Sequence, residues 1–373
     1  MDKEILRQDA IKFGFSDLRF TSVEPLLEAE EKFYLWRNKG YAAEMSYMKR
    51  ANPINARPQM LLNSAKSLLV FSADYYSPAP ARPSLAHGRV ASYAVGKDYH
   101  KVLKKKIKEL CLESDAFKDL ANRSRFFTDA VPLLEKSFAV KAGLGFQGKN
   151  TLLISKKSGS YKFIAELITD LEFPADEEIS ENYSECAKCT RCIDICPTNA
   201  LDDTFLLDSS KCISYWTIEH RGEIPQEIKK GLGEWVFGCD LCQEICPYNR
   251  KDSTLKSRPN IFPEFEADAG VGHWLYLPLV LSLSVDNFEK DFFKACEKSA
   301  EIKLMNYAKK ELAKINKLSE LSREDYELFL DKLFFFKFGE TPLSRAKREG
   351  LIRNALIVLE NSKRLLLKSP SGK

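Results

Sequence analysis

At 373 residues the chain is long for one hydrophobic core, and two or three domains are expected. Its composition, 44% hydrophobic and 29% charged with a formal net charge of +4, is that of a soluble globular protein. The opening MDKEILRQDAIKFGF is charged and lacks the apolar core of a signal peptide, and the most apolar stretch, WLYLPLVLSLSV, is too short for a membrane span and is interrupted by Pro278, so no membrane association and a cytoplasmic location are expected.

Three regions differ in texture. Over 1–170, helical patterns alternate with the short apolar runs SLLVFSADYY, RVASYAVG, TLLIS and KFIAELIT. The runs at 67–76 and 151–169 carry β-branched and aromatic residues between turn formers and predict strands. HKVLKKKIKELCLES between them predicts an amphipathic helix, and the region reads as an α/β domain around a sheet. Over 171–258, cysteines, prolines and acidic residues replace periodicity. Over 259–373 nearly everything after about residue 270 predicts helix, with apolar residues at three and four spacing in FEKDFFKACEKSAEIKLMNYAKKELAKI and PLSRAKREGLIRNALIVLENS. Gly350 is expected to break the latter into paired short helices of the kind that stack in HEAT-like solenoids. The fold class is therefore a multidomain α+β protein with an all-α carboxyl-terminal domain.

The cysteines carry the strongest signal. Cys186, Cys189, Cys192 and Cys196 form C-x2-C-x2-C-x3-C followed by Pro197, and Cys239, Cys242 and Cys246 form an incomplete second run followed by Pro247. Cys212 is placed to supply the missing thiolate. In bacterial ferredoxin runs the cysteine before proline ligates the other cluster. Two crossed ligand sets follow, Cys186, Cys189, Cys192 with Cys246, and Cys212, Cys239, Cys242 with Cys196, enough for two 4Fe–4S clusters in a ferredoxin-like domain. Structural zinc prefers paired C-x2-C knuckles with a spacer, and disulfides suit small secreted chains. Cys111 and Cys296 have no partners at ligand spacing and are expected to be buried small hydrophobes.

Other patterns are weaker. Gly143, Gly145 and Gly148 match G-x-G-x-x-G, but a helix precedes and a strand follows, the reverse of a dinucleotide site. Gly143 is expected to end a helix, and the loop to let backbone approach a bulky ligand. DYHKVL begins like a cobalamin-binding D-x-H-x-x-G, yet Leu103 stands at the glycine position, so His100 is not expected to ligate cobalt. Asp129, after an apolar pair and before Pro132, reads either as a capping aspartate or as a partly desolvated proton donor. His220 and Arg221, in CISYWTIEHRGEIP, suit a phosphate or base contact or a helix end. From 287 to 373 there are 19 Lys and Arg against 13 Asp and Glu, a net of +6, which suits an anionic partner such as nucleic acid or a solvated helical face.

Together RVASYAVGKDYHKVLKKKI, TDAVPLLEKSFAVKAGLGFQGKNT, the crossed cluster motifs, KCISYWTIEHRG and FGCDLCQEICPYN resemble the epoxyqueuosine reductase family over essentially the whole chain. The resemblance implies a cobalamin-dependent iron–sulfur oxidoreductase that reduces epoxyqueuosine to queuosine at the wobble position of tRNA. Its partners would be tRNA with a GUN-type anticodon and a low-potential electron donor, and the chain would act as a monomer. It further implies base-off cobalamin in the amino-terminal domain, with Asp129 as the catalytic proton donor. Corrin contacts fall on Arg57 in INARP, Tyr93 in ASYAVGKDYH, Asn150 and Thr151 after the glycine loop, and Ser214 and Asp240 beside Cys212 and Cys239. The basic residues His220, Arg221, Arg345, Lys347, Arg348 and Arg353 would meet the tRNA. TDAVP departs from the family pattern near Val131, where many relatives have glycine.

Two other functions use similar parts. An electron-transfer adaptor would need the clusters and no corrinoid. A reductive dehalogenase would share cobalamin and two clusters, but it is typically exported behind a twin-arginine signal and has no use for a basic helical tail.

Overall fold

The computed structural model describes residues 2–129, 131–176, 183–202, 205–250, 262–315 and 318–368, so the expected boundary at 258/259 lies outside the described residues. The described strands are β1 (Asp17–Ser22), β2 (Ser67–Asp74), β3 (His87–Val90), β4 (Ser124–Phe127), β5 (Phe146–Gln147), β6 (Leu153–Ile154), β7 (Lys162–Thr169), β8 (Trp235–Phe237) and β9 (Trp274–Tyr276). The chain divides into two compact units, each assembled from three separate stretches.

The first unit comprises Met1–Ser77, Tyr99–Cys212 and Asp240–Glu266. Its sheet runs β1-β2-β7-β4 and is antiparallel at every pairing. All eight residues of β2 are buried, because both faces of the strand are covered. Leu68 and Val70 pack with Leu133, Phe138 and Val140 on one side. Phe71, alternating to the other side, meets Phe15 at 4.9 Å and Phe117 at 6.2 Å between ring centroids. The helices Lys3–Phe13, Tyr99–Glu113 and Glu135–Lys141 pack on the strands. The register of β2 against β7 sets Asp74 opposite Lys162, and these form an ion pair with each side chain only 5% exposed. β4 lies against β7 with Phe127 opposite Glu166, so the sheet edge ends two residues before Asp129. A short hairpin pairs β5 with β6 and frames the loop 148–152.

Gly143 ends the helix Glu135–Lys141 one residue past its cap, at φ +83°, as expected. The close backbone approach expected further along the loop is made to the protein itself. A Cβ at Gly145 would lie 2.3 Å from the Ile154 carbonyl oxygen, and one at Gly148 would lie 2.5 Å from the Ile154 side chain. These glycines let β5 and β6 close on one another.

The second unit comprises Pro78–Asp98, Ile213–Cys239 and Ala267–Lys373. Its small sheet runs β8-β3-β9, with β3 parallel to β8 and antiparallel to β9. Around it stand the helices Phe288–Lys298, Ile302–Leu312, Arg323–Phe338 and Lys347–Lys368. Their shared core includes Phe288, Phe292, Leu330, Leu333, Phe334, Phe338, Leu351, Ala355 and Val358. The carboxyl-terminal region is therefore helical, as its periodicity predicts. Pro278 opens the short helix Leu277–Leu281, at a position where its missing N–H costs nothing. The expected break at Gly350 is corrected. The helix Lys347–Lys368 runs through it, and the chain turns earlier, at Pro342–Ala346 and at Lys347, whose φ is +62°. Gly350 falls in the first turn of that helix, and the buried Leu351, Ala355 and Val358 that follow it pack the helix into the core, which outweighs the glycine's lower propensity. Cys111 and Cys296 are buried at 3% and 1% exposure, as expected of small hydrophobes.

Among the described residues, no helix is long and apolar enough to cross a membrane.

Candidate functional site

Two cavities of the first unit are walled by one short loop. The first, about 300 Å³, is lined by Cys186, Cys189, Cys192 and Cys246 together with Lys149, Asn150, Arg191 and Tyr248. The short helices Arg191–Asp194 and Leu241–Glu244 present their cysteines here. None of the ten cysteines is joined in a disulfide. Burial raises the Cys192 thiol to about 11, and the neighbouring Cys186, Cys246 and Cys189 add to the shift. The same neighbours act on Cys246, which burial also raises. Four thiols around one cavity fit a polynuclear cation, which would deprotonate and bind all four. Among the described residues, no three His, Cys, Asp or Glu side chains converge closely enough for a single metal ion.

Cysteines of the two runs stand near one another. Cys246, from the second run, stands with the first three cysteines of the first run. Cys242 is raised well above an ordinary thiol by burial, then by Cys212, Asp240, Cys192 and Cys196. Cys239 closes the middle stretch of the second unit.

The second cavity, about 420 Å³, is lined by Ala29, Phe33, Trp36, Met48, Leu133, Leu134 and Leu206, with Asp129, Lys136, Gln147 and Thr151 among its polar groups. An apolar cleft with few polar groups is the usual form of a cofactor or substrate site. Gln147 and Thr151 line this cleft, whereas Lys149 and Asn150 line the thiol cavity, so the loop between β5 and β6 is a wall common to both. Thr151 holds a left-handed conformation (φ +62°), and its carbonyl accepts from Lys136 Nζ at 2.8 Å.

Asp129 is also left-handed, at φ +50°, a conformation that Asp and Asn tolerate better than most residues. Its Oδ2 accepts from the Tyr99 hydroxyl at 3.0 Å and lies 3.4 Å from His100 Nε2. Its backbone N–H donates to Glu135. Burial, then the nearby Asp129, raises Glu135 to about 8. Behind them Glu166 is fully buried, and neither of its carboxyl oxygens accepts from an N–H or hydroxyl donor among the described residues; the group beside it is the Glu135 carboxyl, with which a proton can be shared. Burial raises it well above an ordinary glutamate, with Glu135 and Asp129 adding to the effect.

Tyr99, Glu135 and Glu166 are not singled out by sequence reasoning, and His100 enters it only as a rejected cobalt ligand. One signal was available: Glu166 is the lone acid within the apolar run KFIAELIT, and a buried charge is more informative than any exposed apolar residue.

The remaining expected cofactor contacts are dispersed. Of these, only Thr151 lines the cleft with Asp129. Asn150, 4% exposed, donates to the Cys242 carbonyl at 3.2 Å on the thiol side. Asp240 is buried and acts electrostatically on Cys242. Arg57 forms a two-pronged pair with Glu30 at 2.7 and 2.6 Å. Tyr93 and Ser214 belong to the second unit, where Tyr93 packs near Phe237.

The basic residues of the second unit are closely engaged. His220 is 8% exposed, and its Nε2 lies 2.9 Å from the Glu223 carbonyl. Arg221 donates to the Ile218 and Arg345 carbonyls at 2.9 and 2.7 Å, and Arg345 pairs with Glu219. Arg353 donates to the Trp216, His220 and Gly222 carbonyls. Arg348, 6% exposed, is shared between Glu327 and Asp331. The Arg345 side chain keeps 49% exposure, and Lys347 is exposed with Nζ 5.7 Å above the Phe335 ring.

Comparison with known proteins converges on one family. Residues 56–130 match the model described as epoxyqueuosine reductase QueG, DUF1730, and residues 185–249 match a 4Fe-4S double cluster binding domain. The epoxyqueuosine reductase of Cyclobacterium marinum is 42% identical over 66% of this chain and 79% of its own length. That of Cellulophaga algicola is 35% identical over 82% of this chain and 94% of its own. Among solved structures, epoxyqueuosine reductase with an epoxyqueuosine-modified tRNA-Tyr stem loop superposes with a TM-score of 0.72 at 26% identity, covering 97% of this chain and 81% of that one. The Bacillus subtilis enzyme, with its catalytic aspartate loop swung out of the active site, gives 0.72 at 26% identity over 99% and 86%.

Proposed function

The chain belongs to the epoxyqueuosine reductase family, a family of oxidoreductases, and on that premise we propose that it reduces epoxyqueuosine to queuosine at the wobble position of tRNA, with electrons relayed through two 4Fe–4S clusters to cobalamin. The observation that carries this reading is the shared wall. The loop between β5 and β6 sets a four-thiol cavity on one side and an apolar cleft with a positioned acid on the other. A redox group and a reaction site so close together are what a short electron path needs.

The cluster ligands in this reading are Cys186, Cys189, Cys192 and Cys246 for one, and Cys196, Cys212, Cys239 and Cys242 for the other. The cleft's apolar floor of Phe33, Trp36, Met48, Leu133 and Leu206 suits a flat macrocycle. Cobalamin, when bound, supplies a strongly reducing metal-centred nucleophile, the hard chemistry that protein side chains lack. Thr151, Asn150, Asp240, Arg57, Tyr93 and Ser214 are assigned to hold it, by family resemblance.

Within the protein, the work falls to the acid. An epoxide oxygen is a poor leaving group until it is protonated, and Asp129 holds its proton toward that oxygen. Tyr99 and His100 fix the orientation of the carboxyl group. Its side chain is open to the cleft, so water would be excluded from it only once cofactor and substrate fill that cleft. The helical carboxyl-terminal region, read as HEAT-like, cradles the tRNA, and the anticodon base enters as an unstacked nucleotide. Arg345 and Lys347 are the exposed cations best suited to phosphate, while Arg348, Arg353, His220 and Arg221 brace the surface that carries them.

The experiment is an anaerobic assay of epoxide loss from epoxyqueuosine-containing tRNA, with and without added cobalamin. Turnover that depends on cobalamin supports the proposal. Reconstituted clusters with no turnover in either arm would favour an electron-transfer adaptor.

A further inference from the structure

Removing an epoxide oxygen as water consumes two electrons and two protons. Both ring C–O bonds break, a C=C bond forms, and the oxygen leaves carrying two hydrogens. The electrons come from the reductase's donor. Asp129, as a monoprotic acid, can hold only one of the two protons at a time. The second must reach the same oxygen from elsewhere, in a cleft whose floor is apolar.

The source of that proton is legible in the carboxyl groups behind Asp129. Glu166 lies on β7 opposite Phe127, is fully buried, and receives no hydrogen bond from an N–H or hydroxyl donor among the described residues, its neighbour being the Glu135 carboxyl. A carboxylate so placed, without a partner, would be very costly, whereas a protonated carboxyl is tolerated. Glu135, on the helix that packs on β7, stands between Glu166 and Asp129 and accepts the Asp129 backbone N–H. The other groups facing this pair are Tyr99 and His100 from the helix Tyr99–Glu113, and Lys136 beside Glu135. A purely structural role does not account for Glu166, because a leucine would fill the strand without an unsatisfied polar group.

We propose that the buried Glu166 carboxyl and the Glu135 carboxyl, which faces both it and Asp129, form a proton reservoir that reloads Asp129 between the two protonations of the leaving oxygen. This inference rests on the reading of Asp129 as the acid. Asp129 gives its proton to the oxygen and becomes a carboxylate. Glu135 passes one proton to Asp129, and Glu166 refills Glu135. Asp129 then delivers the second proton, water departs, and the two protons now missing from Asp129 and Glu166 are regained from solvent after release. Burial holds Glu166 neutral and raises Glu135 to about 8, so the pair is loaded at neutral pH. Glu135 and Glu166 act through Asp129 and do not touch the substrate.

The test uses the full chain with clusters reconstituted, in two measurements. In the first, infrared spectra across pH are taken without corrinoid or tRNA. The wild type should show a protonated-carboxyl band that persists above neutral pH, and Glu166→Gln should lose it. In the second, single-turnover epoxide reduction by enzyme reduced in advance is followed from acid to alkaline pH. Glu166→Gln and Glu135→Gln should keep near-normal rates at acid pH and fall by about tenfold or more at alkaline pH. Their alkaline limbs should move to lower pH, with Glu166→Asp recovering part of the loss. Glutamine matches the shape of a neutral glutamate, and the half-buried Glu135 gives a second variant should the strand position misfold. Wild-type alkaline limbs in both variants, or no persistent carboxyl band, would overturn the reservoir while leaving Asp129 as the acid. Near-normal turnover in Asp129→Asn would instead overturn the acid assignment and the reservoir with it.

Discussion

Tyr99 donates its phenolic hydrogen to Oδ2 of Asp129 at 3.0 Å, and its ring stacks on Phe163 with centroids 4.4 Å apart and planes 7° from parallel. Phe163 belongs to β7, so the orientation of the acid is traced to the central sheet through one aromatic stack and one hydrogen bond. That link matters because Asp129 is left-handed and its side chain is 63% exposed. Without an anchor, the carboxyl would sample several directions.

Tyr99→Phe should keep the stack and lose the hydrogen bond. Turnover is expected to fall by about three- to tenfold, the range of a net hydrogen bond of about 0.5–1.5 kcal/mol. Cluster content and cobalamin binding should not change. Steady-state kinetics with iron and corrinoid analysis check this, and unchanged turnover would leave the acid's orientation to His100.

Much of the site was legible in the cysteine spacing, because ligand geometry constrains sequence at intervals of two and three residues. That Cys246 lines one cavity with the first three cysteines agrees with the ferredoxin pattern. The strand at 67–74 and the helix at 99–113 were equally legible, since each carries an unbroken local pattern. The stretch Pro78–Asp98 was not. It reads as part of the amino-terminal α/β texture, yet β3 pairs with strands about 145 and 187 residues further on, and nothing local encodes such pairings. The Asp129 environment was invisible for the same reason, as Tyr99, Glu135 and Glu166 come from three elements. Gly350 misled because propensity alone predicted a break, whereas packing carries the helix through.

The crossed ligand sets predict separable lesions. About eight irons per chain are expected after anaerobic reconstitution, and about four in Cys246→Ser or in Cys212→Ser. The two variants should retain different clusters, distinguishable by their electron paramagnetic resonance signals. Identical residual signals would contradict the crossing.

The exposed and buried cations of the carboxyl-terminal region should separate in the same way. Arg345→Ala with Lys347→Ala should weaken tRNA binding and reduce its salt dependence, by about one unit of log–log slope per lost phosphate contact. Arg348→Ala should instead destabilise the fold by about 1–3 kcal/mol, because Glu327 and Asp331 lose their shared partner. Titration across salt and thermal melting distinguish the two outcomes. Undiminished tRNA affinity in the double variant would return those helices to a merely solvated face.

Glu166 predicts a pH dependence of stability with a definite sign. Burial raises its pKa in the folded chain, whereas in the unfolded chain it ionises near about 4.3. Below that pH it is neutral in both states, and the folded protein keeps its full stability. As pH rises through and above the ordinary glutamate range, the unfolded state gains by ionising and the folded state does not, so stability declines. Glu166→Gln lacks this loss. Its Tm should be close to wild type at pH 5 and exceed it increasingly toward pH 8. A Tm difference that does not vary with pH would mean that Glu166 is ionised when folded.

The most direct measurement is single-turnover epoxide reduction by Asp129→Asn. Asparagine tolerates the left-handed backbone as aspartate does and can still accept from Tyr99, so fold, clusters and cobalt reduction should be intact. It has no proton to give the leaving oxygen. The account predicts a fall in turnover of about 10²–10⁴-fold with unchanged cluster and corrinoid content. Epoxide reduction near the wild-type rate in that variant would contradict it.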